Sequence, residues 1–275
     1  MAWRTPGLLV LPVALWLLGG LCSATNAADR QVFIEELTWT ELRDSIQAGT
    51  TTIIVPIGGT EQSGPAIALG KHNVRVRFLA EKIARQLGNA LVAPEIAYVP
   101  EGTIDPPSGH MRFPGTITIS DKAFEEVLES AARSFRQHGF RTIVLIGDHG
   151  GYQQDEKAVA DRLNREWAHG PTQVFAALDY YRLAQKPYAD ALVAAGIAPS
   201  EIGTHAGLAD TALMLAVDPS MVRTKRIAAG PKLTASDGVY GGDPTRSSAA
   251  LGQLGVDLIV SGTAQAIRDF AAGQR

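Results

Sequence analysis

Short β-branched runs alternate with longer amphipathic stretches along most of the chain, and this alternation limits the possible folds more than any other feature. Four apolar runs bounded by turn residues are predicted strands, at residues 51–57, 90–96, 142–146 and 173–177. Helical spacing of apolar residues occurs at 74–87, 121–138, 154–167 and, as one or two helices, 247–272. Strands that alternate with helices in this way predict an α/β fold with a largely parallel sheet flanked by helices.

Residues 28–275 are predicted to form a single domain, because they contain no internal repeat, low-complexity linker or block of charge. Hydrophobic residues make up 45% of the chain, which is enough for one large core. Charged residues make up 19% and no basic run occurs, so the sequence lacks the positive patch that a nucleic-acid-binding protein needs.

The first 27 residues differ in kind from the rest and are predicted to be a secretory signal peptide. Arg4 precedes an apolar run at residues 8–21, and small and polar residues follow, with the expected cleavage after Ala27. A membrane-spanning helix needs about 20 residues, so no stable membrane anchor is expected and the protein is predicted to be exported, to the periplasm. Cys22, the only cysteine, lies in this leader, so a metal site must use His, Asp, Glu or backbone oxygen.

Polar residues collect in Gly- and Pro-rich segments after the predicted strands, where the loops of an open parallel sheet form ligand sites. Glu61 and His72 follow the first strand, His110 the second and His149 the third. One carboxylate and two imidazoles, from Glu61, His72 and His149, suffice for a catalytic metal with an open position for water. His110 either covers a pocket or caps the following helix, for which Ser120 is the predicted N-cap.

Three further residues have two interpretations each. Asp148 either orients a neighbouring imidazole or is only a turn residue. Asp179 and Tyr180, after the fourth strand, are candidates to line a pocket with aromatic walls, whereas the alternative is that Tyr180 and Tyr181 simply pack at the edge of the core. His138 and His169 end helical stretches, where a cation favours the helix dipole, and both are excluded from the site.

Five segments in order resemble the motifs of the creatininase (creatinine amidohydrolase) family. They are Pro-Ile-Gly-Gly-Thr-Glu-Gln-Ser-Gly-Pro at 56–65, Leu-Gly-Lys-His at 69–72, Phe-Pro-Gly-Thr at 113–116, Gly-Asp-His-Gly-Gly at 147–151 and His-Ala-Gly-Leu-Ala-Asp-Thr at 205–211. The resemblance implies a creatininase-like α/β fold, metal-dependent cleavage of a C–N bond in a small, possibly cyclic, amide, and a homo-oligomer.

The resemblance also implies a ligand set. Family members bind two divalent ions, and Glu61 and His149 match two of the ligands. His72 stands at the position of the bridging Asp, and Ser63 at that of a His that binds the second ion. A mononuclear site of Glu61, His72 and His149 is therefore expected, with zinc favoured by the nitrogen-rich ligands and iron or manganese as alternatives.

Two residues of the last motif are implied to act on the substrate. His205 matches a family His that assists proton transfer, and Asp210 replaces the usual Glu. The changes at Ser63 and His72 leave two alternatives open: a lactone or formamide hydrolase on the same site, or a non-catalytic exported protein that binds a small molecule.

Overall fold

The computed structural model describes residues 1–2, 31–228 and 233–273. The described residues from Gln31 onward belong to one compact unit. Apart from its first two residues, the predicted signal peptide lies outside the described residues, as do Cys22 and the cleavage point after Ala27. Among the described helices, none is both long enough and apolar enough to cross a membrane.

Four strands form one parallel sheet: β1 (Thr52–Ile57), β2 (Ala90–Val92), β3 (Thr142–Gly147) and β4 (Gln173–Ala176), in the spatial order β2-β1-β3-β4. In the register, Thr52 lies opposite both Ala90 and Thr142. Every residue of β1 and β3 is buried, as expected for central strands covered on both faces. β2 is shorter than the predicted run at 90–96 because Pro94 has no N–H to donate to the ladder.

The helices in the described part of the chain are α1 (Trp39–Gln47), α2 (Lys71–Leu87), α3 (Asp121–Gln137), α4 (Gln153–Glu166), α5 (Asp179–Ala184), α6 (Lys186–Ala194), α7 (Pro199–Ile202), α8 (Leu208–Val217), α9 (Thr224–Ala228) and α10 (Ala249–Ala272). The predicted helices correspond to α2, α3, α4 and α10. Ser120 is the N-cap of α3, since its side chain accepts a hydrogen bond from Ala123 N at 3.2 Å. The structure thus confirms the predicted single-domain α/β fold with its parallel sheet flanked by helices.

The two faces of the sheet bury separate apolar clusters because alternate strand residues point to opposite sides. Ile54 and Val144 pack with residues of α2, α8 and α10. Ile53 and Ile143 pack on the other face with residues of α3 and α4. On the first face α10 crosses α8 closely: a Cβ at Gly252 would lie 1.9 Å from the carbonyl oxygen of Ala212. This packing holds the first turns of α2 and α8 next to the carboxyl edge of the sheet.

The loops that follow β1 and β3 are tied together at this edge by the buried phenol of Tyr152. Its hydroxyl donates to the carbonyl oxygen of Gly58, at 2.6 Å, and accepts from the backbone amides of Asp148 and His149, each at 3.1 Å. Polar side chains from both loops therefore face the same space.

Candidate metal centre

Four side chains bring ligand atoms together at the carboxyl edge of the sheet. Glu61, Glu101, His110 and His149 each offer one atom, and these atoms lie within 4.8 Å of one another. Glu61 Oε2 is 3.1 Å from His110 Nε2 and 3.5 Å from His149 Nε2. His149 Nε2 is also 3.5 Å from Glu101 Oε2. Two carboxylates and two imidazoles thus face a common point.

The backbone holds each of these residues in place. The amide of Glu61 donates to Leu69 O at 3.1 Å, and the amide of Glu101 donates to Thr118 Oγ1 at 2.9 Å. Gly59 leaves room for the Glu101 carboxylate, because a Cβ there would lie 2.7 Å from Glu101 Oε1. His110 lies on a 3-10 turn at Gly109–Arg112 and does not cap α3, which excludes one of its two interpretations.

Both carboxylates are buried with oxygens that lack partners. Neither oxygen of Glu101, nor Oε2 of Glu61, makes a hydrogen bond to any residue that the structure describes. Burial, together with the nearby Glu61 carboxylate, raises the pKa of Glu101 to about 9. Burial also opposes the ionisation of Glu61, but Lys71 and His72 hold the pKa of Glu61 below its ordinary value. An ionised Glu101 therefore needs a cation that the protein itself does not place there.

The two imidazoles have the charge state that metal binding requires. Burial lowers the pKa of His149 to about 4 and also lowers the pKa of His110, so both rings are neutral near pH 7. Two carboxylates and two neutral imidazoles form a donor set suited to zinc, manganese or iron. The residues present here fit a single divalent ion.

The hydrogen bonds also determine where the ring protons lie. The Gly151 amide donates to His149 Nδ1 at 3.1 Å, so in this arrangement the neutral ring holds its proton on Nε2. Gln62 Nε2 donates to His110 Nδ1 at 3.0 Å, while Gln62 Oε1 accepts from Gly64 N, which places the His110 proton on Nε2 as well. Binding a metal through either Nε2 therefore requires the proton to move to Nδ1 and these two donors to turn away.

His72 lies beside this group, in contact with one of its carboxylates. His72 Nε2 is 2.7 Å from Glu61 Oε1, and His72 Nδ1 is 2.5 Å from Asp148 Oδ2. Arg75 Nη2 also lies 3.2 Å from His72 Nδ1, so both ring nitrogens already have protein partners and neither is open to a metal. The structure brings Glu61, His72 and His149 together, but its geometry favours Glu101 and His110 over His72 as ligands.

A buried ionic network extends from His72 to the first turns of α2 and α8. Arg75 Nη2 is 2.7 Å from Asp148 Oδ2, and Arg75 Nη1 is 2.8 Å from Asp210 Oδ1. Lys71 Nζ is 3.0 Å from Asp210 Oδ2. Burial disfavours the charged carboxylates, but the cations around them hold the pKa values of Asp148 and Asp210 below their ordinary range. Asp148 thus holds an imidazole as the first of its two interpretations expects, and Asp210 binds cations.

His205 lies at the border between the cluster and a cavity of about 300 Å³. Its Nε2 is 2.9 Å from the backbone carbonyl oxygen of Gln62 and 3.1 Å from Gln62 Nε2. Its Nδ1 is 3.6 Å from Glu61 Oε1, so this nitrogen faces the cluster. Burial lowers the pKa of His205 to about 3, so the ring is neutral near pH 7.

The remaining predicted site residues lie at different places. Tyr180 is buried and its hydroxyl donates to Asp148 Oδ1 at 2.6 Å, so it supports the ionic network. Asp179 pairs with Arg182 and lines an exposed groove beside α10. Ser63 is fully buried, and its hydroxyl has no hydrogen-bond partner among the residues described.

The sequence interpretation missed several residues of the site. Glu101 lies between Pro100 and Gly102, in the kind of dense loop that drew attention to His110, so the same criterion could have found it. Lys71 and Arg75 resemble ordinary helix-surface residues in the sequence, and nothing in their spacing indicates that both are buried.

Comparisons with known proteins identify the family of the chain. The Creatininase family model, described as creatinine amidohydrolase, matches residues 35–267. Creatinine amidohydrolase of Pseudomonas putida is 28% identical over 258 residues, covering 87% of this chain and 97% of the relative. The mycofactocin precursor peptide peptidase of Mycolicibacterium smegmatis is 29% identical over 242 residues, covering 78% of this chain and 84% of the relative.

Solved structures give the same result. A crystal structure of creatinine amidohydrolase matches with a TM-score of 0.72 at 25% identity, over 86% of this chain and 97% of that chain. A mutant creatininase of Zn-Zn type and a creatininase designated Mn match at 25% identity, with TM-scores of 0.72 and 0.70, each over 87% of this chain and 98% of its own. Creatininase structures thus carry zinc or manganese, and the chain belongs to the creatininase family of hydrolases.

Proposed function

We propose that this chain is a hydrolase that uses one divalent ion to cleave the C–N bond of a small non-peptide amide. The proposed ligands are Glu61, Glu101, His110 and His149. The observation that carries the proposal is the pair of buried carboxylates with unpartnered oxygens beside two neutral imidazoles. Such an arrangement is costly in a merely structural role, because each buried polar atom left without a partner destabilises the fold by about 1–3 kcal/mol.

A divalent ion held by these residues would lower the pKa of a bound water and polarise a carbonyl oxygen. The chain's own residues supply the rest of the chemistry. His205 directs Nδ1 toward the cluster, 3.6 Å from Glu61 Oε1, and its Nε2 lies against the side chain and the backbone carbonyl of Gln62. His205 is therefore oriented to take a proton from the attacking water and to pass it to the leaving nitrogen.

The cavity beside His205 supports a small substrate. Its volume of about 300 Å³ is at the lower end of the range for small-molecule sites. Asp148, Tyr181 and Asp210 line the cavity together with His205, whereas the four proposed ligands do not. We infer that the body of the substrate occupies this cavity while its scissile bond reaches past His205 toward the ion.

The names of the relatives point to two substrate classes. The Pseudomonas relative is a creatinine amidohydrolase and the mycobacterial relative is a peptide peptidase. The small volume of the cavity favours a compact, possibly cyclic, amide over an extended peptide. A lactone or a formamide presents a similar carbonyl to the same groups, so both classes belong in the same substrate screen.

Metal analysis of the purified protein tests the proposal. We expect about one divalent ion per chain in the wild type, and a loss of that ion in His149→Ala and Glu101→Ala. His169→Ala, a change of an exposed histidine outside the cluster, is the matched control and should keep the ion. A wild type that binds no divalent ion, with His149→Ala melting at the same temperature, would instead favour a non-catalytic binding protein.

A second comparison separates the two ligand sets. If His72 ligates the metal, His72→Ala should lose the ion as completely as His149→Ala does. If Glu101 and His110 ligate, Glu101→Ala and His110→Ala should lose it, and His72→Ala should weaken binding less. The metal-loaded protein is then screened for hydrolysis of cyclic amides, formamides and lactones.

A further inference from the structure

Lys71 is buried in an unusual position for a lysine. It is the first residue of α2, so its charge lies at the end of the helix where the dipole already places positive charge. Its side chain is only 1% exposed, although lysine is almost never fully buried without a partner. Its Nζ lies 3.0 Å from Asp210 Oδ2 and 3.4 Å from Glu61 Oε1. The ammonium therefore joins two carboxylates inside the site.

The two oxygens of Glu61 face different surroundings. Oε1 contacts two side chains of α2, with His72 Nε2 at 2.7 Å and Lys71 Nζ at 3.4 Å. Oε2 faces His110, His149 and the side of the site where Glu101 lies, and it has no hydrogen bond within the described residues. The Oε1 side is thus supplied with positive charge by the protein, and the Oε2 side is not.

Opposite charges of the chain alternate on the Oε1 side. Arg75 joins Asp148 to Asp210, and Lys71 joins Asp210 to Glu61. Three carboxylates, those of Glu61, Asp148 and Asp210, face three donors from the start of α2: Lys71, His72 and Arg75. A divalent ion entering this side would meet fixed positive charge at short range, and repulsion between like charges in a buried site is strong.

We infer that Lys71 acts as a tethered cation in the place of a second metal ion, and thereby limits the site to one divalent ion per chain. This inference rests on the proposed function. An ion on the Oε2 side meets Glu61, Glu101 and the two imidazoles, while the ammonium occupies the space between Glu61 Oε1 and Asp210. Removing the ammonium with its stem should open that space and leave the charges of the buried Glu61 and the partly buried Asp210 for a second divalent ion to compensate.

Counting bound ions tests the inference without measuring activity. The metal-free full chain is titrated with Zn²⁺ and with Mn²⁺, and ions per chain are counted by native mass spectrometry and calorimetry. We expect one ion in the wild type and in Lys71→Arg, which keeps the charge. We expect two ions in Lys71→Ala, the second bound more weakly, and one in Lys71→Met, which fills the space without charge. Lys82→Ala, an exposed lysine of the same helix, is the control and should bind one.

The possible outcomes distinguish the proposed metal-dependent function from the proposed role of Lys71. A wild type that binds no ion overturns the metal-dependent function itself. A wild type that binds two ions with Lys71 in place leaves that function standing and overturns the role of Lys71. A folded Lys71→Ala that binds only one ion overturns it as well.

The melting transition of Lys71→Ala is measured both without metal and with added Mn²⁺. If this variant unfolds when metal is absent, the inference predicts that millimolar Mn²⁺ restores its melting transition, because an ion can replace the ammonium. Failure to recover at any Mn²⁺ concentration contradicts the inference.

Discussion

The Glu101 carboxylate has opposite expected effects on stability and on metal binding, and the change Glu101→Gln separates them. Glutamine matches protonated glutamic acid in size and shape but has no charge. Burial and the Glu61 carboxylate raise the pKa of Glu101 from 4.5 to about 9. At pH 7 the metal-free folded protein therefore keeps Glu101 protonated, whereas the unfolded chain ionises it, and this difference favours unfolding.

The size of the effect follows from the pKa values. Each pKa unit corresponds to about 1.4 kcal/mol, so the 2.5 units between 4.5 and pH 7 cost about 3 kcal/mol. We therefore expect metal-free Glu101→Gln to be more stable than the wild type by up to about 3 kcal/mol at pH 7, or about 6–12 °C in Tm for a domain of this size. A raised carboxyl pKa costs the wild type no stability below pH 4.5, and the cost grows as the pH rises from 4.5 toward 9. The advantage of the variant over the wild type should therefore be small at pH 5.

The assay is thermal melting at pH 5, 7 and 8 in chelator and again in saturating Zn²⁺. Wild type should gain stability from Zn²⁺ as a ligand-binding protein does, and Glu101→Gln should lose most of that gain. Glu126→Gln, on the exposed face of α3, is the control and should change neither curve. The reasoning is refuted if Glu101→Gln melts below the wild type in chelator and keeps its full stabilisation by Zn²⁺, because Glu101 is then a structural residue.

Three further outcomes are expected. His205→Ala should keep its metal and lower turnover by about a hundredfold or more, as the loss of a general acid-base does; unchanged turnover would remove His205 from the mechanism. Tyr180→Phe removes a buried hydrogen bond to the charged Asp148 and should lower the free energy of unfolding by about 1.5–3 kcal/mol in urea titrations; a smaller loss would mean that the network does not depend on this phenol. Burial raises the pKa of Glu156, whose oxygens lack partners among the described residues, so its ionisation favours unfolding once the pH exceeds the ordinary pKa of a glutamate. Glu156→Gln should therefore raise Tm at pH 8 more than at pH 5, and an equal change at both pH values would contradict this.

The pattern of the sequence predicted the architecture well where a local signal was strong. The runs of β1, β3 and β4 are bounded by turn residues, and each predicted bound lies within one residue of the observed one. The short helices α1 and α5 to α9 were not predicted, because segments of four to ten residues show too few turns for a clear periodicity. α10 proved to be one helix, although the sequence allowed two.

The site was predicted in part. The sequence placed Glu61, His110 and His149 in loops at one edge of a parallel sheet, and the structure brings these side chains within reach of one another. It also brings His72 to the same carboxylate, but with both nitrogens already occupied. Glu101 completes the group of ligand atoms, and it was not predicted.

The sequence by itself determined the residue types at the edge of the sheet, because loops after parallel strands always meet there and the motifs of the family supply the acids and imidazoles. Only the tertiary structure decided which of these ligand atoms lack a hydrogen-bond partner. A ring nitrogen or carboxylate oxygen can bind an ion readily only if no neighbouring group already forms a hydrogen bond with it. The neighbouring groups come from segments that lie far apart in the chain. Asp148 forms a hydrogen bond with His72, and Lys71 forms ion pairs with Glu61 and Asp210, because α2, β3 and α8 pack together around the same core.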